Sequence, residues 1–311
     1  MSSRASSGSY VPPRDAVTCV LHKDRFAEFA RMHSLPTPLT LTPASADELR
    51  RQARNLRYPA VVKPAVSDSW LREDFSRRFG RIKAVRVGSP DELIARWLEL
   101  TDAGPGLVIQ EEIGGGDDQN YSYFSYRRAP GQETAGLVLR KLRICPIHAG
   151  VAALAIPVHD AEVAAAGRRT LDALGFSGMA SVSCKKDPND GQAKVYEVNG
   201  RFPIAHASFA LCGVDLPYLM YRDLCGFADP PPVARIRGKK WLAITLDLPA
   251  VMAYRRAGEL NLGAWARSLR RVGMIAEFAV DDLRPGFFAL RHLAVTMFRQ
   301  MTRGEPGDRV L

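Results

Sequence analysis

Apolar and polar positions follow two periods along the chain, and together they predict a mixture of helices and strands. Short apolar runs bounded by Pro, Gly or polar clusters predict strands; they cover 58–63, 83–87, 107–111, 121–126, 134–144, 181–185 and 193–198. Apolar residues at helical spacing predict helices from Lys23 and over 45–55, 89–100, 160–174 and 215–225. Strands that alternate with helices in this way predict an α+β or α/β protein.

The two ends of the chain depart from this alternation. Residues 1–20 are polar and interrupted by prolines, which predicts a tail or lead-in segment. The Pro-rich stretch at 229–232 predicts a boundary, and 229–311 is expected to be a mostly helical, basic extension. Within it, 285–303 is typical of an amphipathic helix. We expect its apolar stripe to pack on the body of the protein, and the alternative is contact with an anionic membrane; the stripe comprises Phe287, Leu290, Ala294, Phe298 and Met301.

Composition narrows the class of protein. The 311 residues carry a net charge of +10 and are 46% hydrophobic, which is typical of a globular protein that binds anionic partners. The five cysteines form no CxxC pair, so we expect free thiols and a cytoplasmic location. The N-terminus lacks a signal-peptide core, and no uncharged apolar run reaches the roughly 18 residues of a membrane span.

Two polar motifs follow apolar strands in the first half of the chain. Lys63 ends the strand Val-Val-Lys-Pro, where its ammonium could meet a phosphate. Residues 110–113 (Gln-Glu-Glu-Ile) leave a strand before three glycines and Asp117, and such a strand end could bind an adenine edge while the acid binds ribose hydroxyls. A surface lysine and an ordinary glycine loop are the alternatives for the two motifs.

A third motif, Tyr-Glu-Val-Asn-Gly-Arg at 196–201, places Glu197, Asn199 and Arg201 on one face of a strand. A carboxylate and an amide oxygen two residues apart suit a hard cation such as Mg²⁺. Arg201 on the same face could hold a phosphoryl group. An exposed polar strand face is the alternative interpretation.

In this order and spacing the motifs resemble the ATP-grasp superfamily, in the branch similar to carbamoyl-phosphate synthase large subunits and D-aspartate ligases. The resemblance covers about residues 20–228 and includes His-Lys at 22–23 and Gly-Val-Asp-Leu-Pro at 213–217. It implies an α+β fold of two lobes, about 21–105 and 106–228, with ATP between them. It also implies a ligase that forms an acyl phosphate from a small carboxylate and transfers the acyl group to an amine.

The resemblance implies a role for each matching residue. Lys23 and Lys63 would bind ATP phosphates, and Arg201 would face the γ-phosphate or the acyl phosphate. Glu197 and Asn199 would ligate Mg²⁺, and Asp117 would bind the ribose. The adenine would be framed by Gln110, Glu111, Glu112 and Ile113. The substrate side would be lined by the basic strand residues Arg140, Lys141 and Arg143.

The sequence departs from the family pattern in two respects. A further carboxylate ligand is usual on the strand before Glu197, and the matching position here is Ser183, with Asp187 as a substitute on the same strand face. Relatives also begin with an α/β domain of ~100 residues, whereas about twenty residues precede Lys23 here.

Three hypotheses remain open at this stage. The first is an active ATP- and Mg²⁺-dependent ligase. The second, which Ser183 supports, is an ATP-binding protein with lost or altered catalysis. The third is a basic module for membrane or nucleic-acid surfaces, although no zinc-finger or ribonucleoprotein motif favours nucleic acid. The identity of the acid and the amine and the oligomeric state stay open.

Overall fold

The computed structural model describes residues 11–66, 69–70, 73–79, 82, 84–101, 106–227 and 233–303, except the side chains at 74, 76, 297 and 299–303. The helices are α1 (Arg14–Leu21), α2 (Lys23–Met32), α3 (Ala46–Gln52), α4 (Glu73–Phe79), α5 (Pro90–Thr101), α6 (Ala161–Ala173), α7 (Leu216–Leu224), α8 (Ile244–Arg256), α9 (Leu262–Ser268) and α10 (Arg284–Arg303). The strands are β1 (Thr40–Leu41), β2 (Ala60–Pro64), β3 (Val85–Val87), β4 (Leu107–Glu111), β5 (Asn120–Ala129), β6 (Gln132–Cys145), β7 (Val151–Val158), β8 (Gly178–Lys186), β9 (Ala193–Asn199), β10 (Lys240–Leu242) and β11 (Val272–Ile275). The α+β class expected from the sequence is confirmed.

The first lobe is a four-stranded antiparallel sheet in the order β1-β4-β2-β3. Helices α3 and α5 cover one face and bury Leu49, Leu93 and Trp97. Helix α3 begins at Ser45, whose side chain accepts a hydrogen bond from the Glu48 N–H, as its Ser cap predicts. Because β4 pairs with β2 along its whole length, 107–111 belongs to this lobe. The lobe boundary expected at 105 is therefore wrong, and the first lobe continues to the end of β4.

The second lobe is a seven-stranded sheet in the order β11-β10-β7-β6-β5-β8-β9. Its strands pair antiparallel except for β10 and β11, which are parallel. One face packs against α6, α1 and α2, and the other packs against the 3₁₀ segment Ile204–Cys212 and helix α8. Two cores on opposite faces leave the end of the sheet nearest the first lobe free to carry polar side chains.

The described segments near both ends of the chain are built into the second lobe, contrary to the sequence-based expectation. Residues 14–21 form α1, which buries Ala16 in the core under the second sheet. The segment after 232 supplies β10 and β11 to the second sheet, and Trp241 of β10 is fully buried. The extension is therefore part of the second lobe rather than a separate helical appendage. Two strands of three and four residues were too short to give a periodic signal.

Helix α10 packs on the body, but its most buried residues lie outside the expected stripe. Gly286 and Leu293 are buried against neighbouring segments, and Gly286 lies against the ring of Phe278. Phe287, Ala294 and Phe298 of the expected stripe are exposed. The ring of Phe287 nevertheless contacts Phe278 edge-on, and Leu290 is half-buried, so part of the expected stripe packs. The side chain of Met301 lies outside the described residues. Within the described ranges, no helix combines the length and apolarity needed to cross a membrane.

Candidate functional site

A cleft of about 830 Å³, part of it open to solvent, lies between the two sheets. Lys23, Lys63 and Gln110 line it from the side of α2 and the first sheet, and Glu197 and Asn199 line it from β9. Its apolar wall is formed by Val20, Leu21, Phe26, Ala27, Val66, Val108, Val195 and Val198. The cleft thus has ammonium groups on one side, oxygen ligands on the other and an apolar wall, which suits an anionic molecule with an apolar ring.

Lys63 lies at the end of β2, where pairing with β4 holds its side chain over the cleft. Its Nζ donates a 3.0 Å hydrogen bond to Gln110 Oε1, and Gln110 Nε2 donates in turn to Thr40 Oγ1 at 3.0 Å. Burial lowers the pKa of Lys63 to about 8, because the attraction of Glu197 does not compensate for lost hydration and nearby Lys23 repels the charge. An anion bound here would relieve that cost.

The ring of Tyr196, which lines the cleft, lies between Lys63 and a second lysine, Lys141. Lys63 Nζ lies 6.0 Å from the centre of the Tyr196 ring, and Lys141 Nζ lies 5.9 Å from it. Lys141 Nζ also donates to the Tyr196 hydroxyl at 3.3 Å, and this hydroxyl donates to Asn120 Oδ1 at 3.3 Å. Tyr196 stands in a register shift between β8 and β9, which places it and Glu197 towards the cleft together.

The pairing of β8 with β9 determines which β8 residues lie opposite Glu197 and Asn199, which the sequence left open. Ser183 pairs directly with Glu197, and Ser181 pairs with Asn199, so the four side chains share one face of the sheet. Ser183 thus lies opposite Glu197, at the position where the family pattern predicts a second carboxylate. In the part of the chain that the structure describes, no group of three or more His, Cys, Asp or Glu could hold a metal ion. Glu197 and Asn199 fit a hard cation that takes its remaining ligands from phosphate and water.

Asp187 does not replace the missing carboxylate. It is buried beyond the end of β8, accepts a 2.6 Å hydrogen bond from Lys194 Nζ, and accepts two more from Asn189. Arg57 of the first lobe approaches the same carboxylate at 3.6 Å. These partners lower the pKa of Asp187 despite its burial. The carboxylate is therefore committed to holding the β8–β9 turn.

Of the four residues predicted to frame the adenine, 110–113, one side chain lines the cleft and the other three do not. Gln110 lines the cleft, whereas the carboxylate of Glu111 is buried and accepts three hydrogen bonds from Arg57. Glu112 forms a 2.6 Å ion pair with Arg86, and Ile113 is buried. Strand alternation sends Gln110 and Glu111 to opposite faces, so the side chain of Glu111 does not reach the cleft. Any adenine contact at Glu111 would use its backbone.

Asp117 is already bound by other residues. Its carboxylate accepts a 2.6 Å hydrogen bond from the Tyr254 hydroxyl and a 2.9 Å bond from the His148 backbone N–H. The His148 ring nitrogen Nδ1 lies 3.1 Å from the same oxygen. The ribose role of Asp117 stays a prediction. A ribose hydroxyl would have to donate to the same carboxylate that already holds α8 to the loop before β5.

The three basic residues of β6 do not share one side of the sheet. Arg140 lies over the ring of Tyr121 and donates to the carboxylate and carbonyl of Asp118. Arg143 is buried and forms a two-bond ion pair with Asp247 of α8. Strand alternation separates Arg140 from Lys141, and a bulge lies between Lys141 and Arg143, so the three residues do not form one basic surface. Their roles on the substrate side stay a prediction.

Arg201 follows β9 in an exposed turn beyond Asn199. Asn120 and Thr40 were not among the expected site residues, although each bonds to a residue that lines the cleft. Thr40 comes from a two-residue strand, and Asn120 lies at the start of β5, so neither belongs to a recognisable motif. Tyr196 stands inside the third motif and could have been found by its adjacency to Glu197.

Comparisons with known proteins give curated relatives and solved structures. No protein-family model matches the chain. The D-aspartate ligase of Enterococcus faecium is 23% identical over 211 residues, which cover 66% of this chain and 49% of that protein. The chain thus spans about half the length of the curated relative it matches.

Two solved structures show the same arrangement of lobes. The L-amino acid ligase of Bacillus licheniformis superposes with a TM-score of 0.51 at 19% identity, covering 68% of this chain and 49% of that one. The biotin carboxylase domain of Hydrogenobacter thermophilus 2-oxoglutarate carboxylase, a complex with MgADP, ADP and bicarbonate, gives 0.56 at 14% identity, covering 74% of this chain and 51% of that one. The two lobes, the cleft between them and these likenesses together show that the chain has the ATP-grasp fold.

Proposed function

We propose that the chain binds ATP with Mg²⁺ in the cleft between its sheets and ligates a small carboxylate to an amine. The observation that carries this proposal is the convergence of Lys23 and Lys63 on one wall with Glu197 and Asn199 on the other. The similarity to a D-aspartate ligase and to an L-amino acid ligase supports the reaction class. The acid and the amine remain to be identified by a screen.

The lysines are suited to a polyphosphate. Lys63 carries a pKa lowered to about 8 in a half-buried position beside Lys23, so the empty cleft holds positive charge at a cost. Phosphate oxygens between the two ammonium groups would remove that cost and gain charge-assisted hydrogen bonds. The hydrogen bond from Lys63 to Gln110 holds the ammonium in place before a ligand arrives, which limits reorganisation on binding.

Glu197 and Asn199 would hold the magnesium ion, which would neutralise negative charge on the phosphate oxygens. In the proposed reaction, a carboxylate oxygen of the substrate attacks the γ-phosphorus, and the bond to the ADP oxygen breaks. The amine nitrogen then attacks the carbonyl carbon of the acyl phosphate, loses a proton, and inorganic phosphate leaves. Lys63, Lys141 and Arg201 would position and neutralise the transferred group, because phosphoryl transfer depends mainly on these two effects.

A second candidate function, nucleotide binding with lost or altered catalysis, is favoured by Ser183. Its hydroxyl stands opposite Glu197, where a second carboxylate would share the cation. A neutral hydroxyl is a weaker ligand for Mg²⁺ than a carboxylate. The two candidates differ in whether ADP is released when a carboxylate and an amine are supplied.

The first experiment is thermal unfolding with millimolar Mg²⁺ and ATP, with GTP in parallel. A ligand that binds only the native state raises the melting temperature, so ATP should raise it more than GTP does. Glu197→Gln should lose the Mg²⁺-dependent part of the shift, while Glu99→Gln on the exposed face of α5 should retain it. If the parent protein shows no shift with ATP, the proposed nucleotide site is wrong.

The second experiment is an ADP-release screen over pairs of small carboxylates and amines. Release that requires both substrates supports the ligase. Nucleotide binding without release for any pair supports the second candidate, and Ser183→Asp then tests whether a carboxylate at this position restores turnover.

A further inference from the structure

Lys185 of β8 lies on the face of the second sheet that borders the cleft. It pairs directly with Asn120 of β5, and directly paired residues of neighbouring strands share a face. The side chain of Asn120 accepts a 3.3 Å hydrogen bond from the hydroxyl of Tyr196, which lines the cleft. Lys185 is therefore on the cleft side, two residues along β8 from Ser183.

The ammonium of Lys185 differs from its neighbours in having no fixed partner. Within the described ranges it makes no hydrogen bond and no ion pair, although the side chain is half-buried. By contrast, Lys186 Nζ lies 2.7 Å from Asp160, and Lys194 Nζ lies 2.6 Å from Asp187. Burial lowers the pKa of Lys185 despite the attraction of nearby acids. A lysine is seldom buried without a partner, which indicates that this one is kept for a ligand.

The surroundings of Lys185 place it at the end of the cleft predicted to bind the ribose. Asn120, its partner across the strands, donates from Nδ2 to the backbone carbonyl of Asp117 at 3.0 Å. Among the acids that attract the ammonium of Lys185, Asp117 acts most strongly. Lys63 at the predicted phosphate end is instead attracted most strongly by Glu197. The two lysines therefore serve different parts of a bound nucleotide.

Asp117 by itself is poorly placed to hold a ribose hydroxyl. Its Oδ2 already accepts hydrogen bonds from the hydroxyl of Tyr254 at 2.6 Å and from the backbone N–H of His148 at 2.9 Å. A hydroxyl group can also accept a hydrogen bond through its oxygen, and an ammonium is a donor only. Lys185 can therefore hold a hydroxyl oxygen without displacing either partner of Asp117.

We propose that Lys185 donates a hydrogen bond to a ribose hydroxyl oxygen of the nucleotide and thereby makes the cleft selective for ribonucleotides over deoxyribonucleotides. This inference rests on the proposed function, because it needs a nucleotide in the cleft. The proton of the same hydroxyl can go to the carboxylate of Asp117 or to water. A bond from a charged donor that has no competing partner is strong, and its loss leaves a half-buried ammonium unpaired.

The test is titration calorimetry of the full chain at pH 7 and saturating Mg²⁺ with ATP, 2′-deoxy-ATP and 3′-deoxy-ATP. In the parent protein, at least one deoxynucleotide should bind at least about tenfold more weakly than ATP, because the charged donor loses its acceptor. Lys185→Met keeps an unbranched side chain of similar length but removes the donor. Its affinity for ATP should fall to the level of that deoxynucleotide, so the ratio of the two affinities should fall towards one.

Lys186→Met is the matched control, because it removes the same charge from the next residue of β8. The side chain of Lys186 lies on the opposite face of the sheet, over the ring of Tyr121 and beside Asp160. This variant should keep the ratio of affinities that the parent shows. Melting temperatures without nucleotide verify that each variant is folded, and Lys185→Leu replaces Lys185→Met if the latter does not fold.

An unchanged ratio in Lys185→Met would overturn the proposal, even if all three nucleotides bind more weakly, because a uniform loss reflects charge alone. An equal fall of the ratio in Lys186→Met would overturn it too. A parent protein that binds all three nucleotides equally well refutes the ribose contact and leaves the proposed nucleotide site intact. A parent protein that binds none of them refutes the nucleotide site itself and this inference with it.

Discussion

The low pKa of Lys63 predicts that nucleotide binding is coupled to proton uptake. With a pKa of about 8 in the empty cleft, the ammonium is about 90% protonated at pH 7 and only about 10% protonated at pH 9. A bound triphosphate stabilises the charged form and raises the pKa. Binding should therefore take up about 0.1 proton at pH 7 and up to about 0.9 at pH 9, and the affinity should fall about tenfold for each unit above pH 8.

The assay is titration calorimetry of ATP binding at saturating Mg²⁺, at pH 7, 8 and 9, in two buffers that differ in ionisation enthalpy. Phosphate groups with a second pKa near about 6 are fully ionised in the upper part of this range. The matched control is Lys63→Arg, because a guanidinium stays protonated throughout. Lys185, whose pKa is also lowered by burial, is present in both proteins, so the difference between them isolates Lys63.

Proton uptake near zero at pH 9, or equal uptake in Lys63→Arg, would refute the coupling. The low pKa of Lys63 also affects the stability of the protein without bound nucleotide. A lysine whose folded pKa lies below its unfolded value of 10.5 binds fewer protons when folded, so the free energy of unfolding should rise between about pH 8 and 10.5. Below pH 8 the full cost of the buried charge remains.

Three further changes test other parts of the structure. Asp247→Leu strands the buried guanidinium of Arg143 and should lower the free energy of unfolding by about 3–5 kcal/mol in urea titrations; changing both partners to Leu should recover most of the loss. Gly167→Ala places a Cβ 2.2 Å from the Tyr123 ring and should destabilise the protein in the same assay. Ser183→Asp should lower the Mg²⁺ concentration needed for half-maximal ATP-induced stabilisation, and an unchanged requirement would show that the position does not reach the cation.

The sequence predicted best where local chemistry and tertiary structure agree. The hairpin of β8 and β9, the cap of α3 and the bounds of β4 follow from turn residues, a serine and an apolar run. Strand β7 was missed because its sequence, Val-Ala-Ala-Leu-Ala-Ile-Pro-Val, is rich in alanine and contains a proline. It is central in the sheet and mostly buried, so it shows no alternation of apolar and polar residues.

The site was predictable only where its residues lie in motifs. Lys63, Glu197 and Asn199 end or follow apolar strands, and their positions on the cleft agree with strand alternation. Arg140 and Lys141 take opposite faces by strand alternation, whereas the side that Arg143 takes depends on a bulge in β6, and bulges depend on the neighbouring strand. The tie between Asp117 and Tyr254 joins residues 137 positions apart, which no local pattern can reveal.

Strand β10 is synthesised long after its partner β7, which has consequences for folding during translation. One edge of β7 pairs with β6, which directly precedes it in the chain. Its other edge pairs with Trp241 and Leu242 of β10, more than 80 residues later. During synthesis that edge exposes unpaired backbone groups, and an open strand edge is a template for wrong pairing. Helix α8 and the Arg143–Asp247 pair arrive only after β10, so the second lobe closes its sheet and its core in one late step. A ribosome-bound chain that stops before residue 240 should therefore depend on chaperones to avoid aggregation.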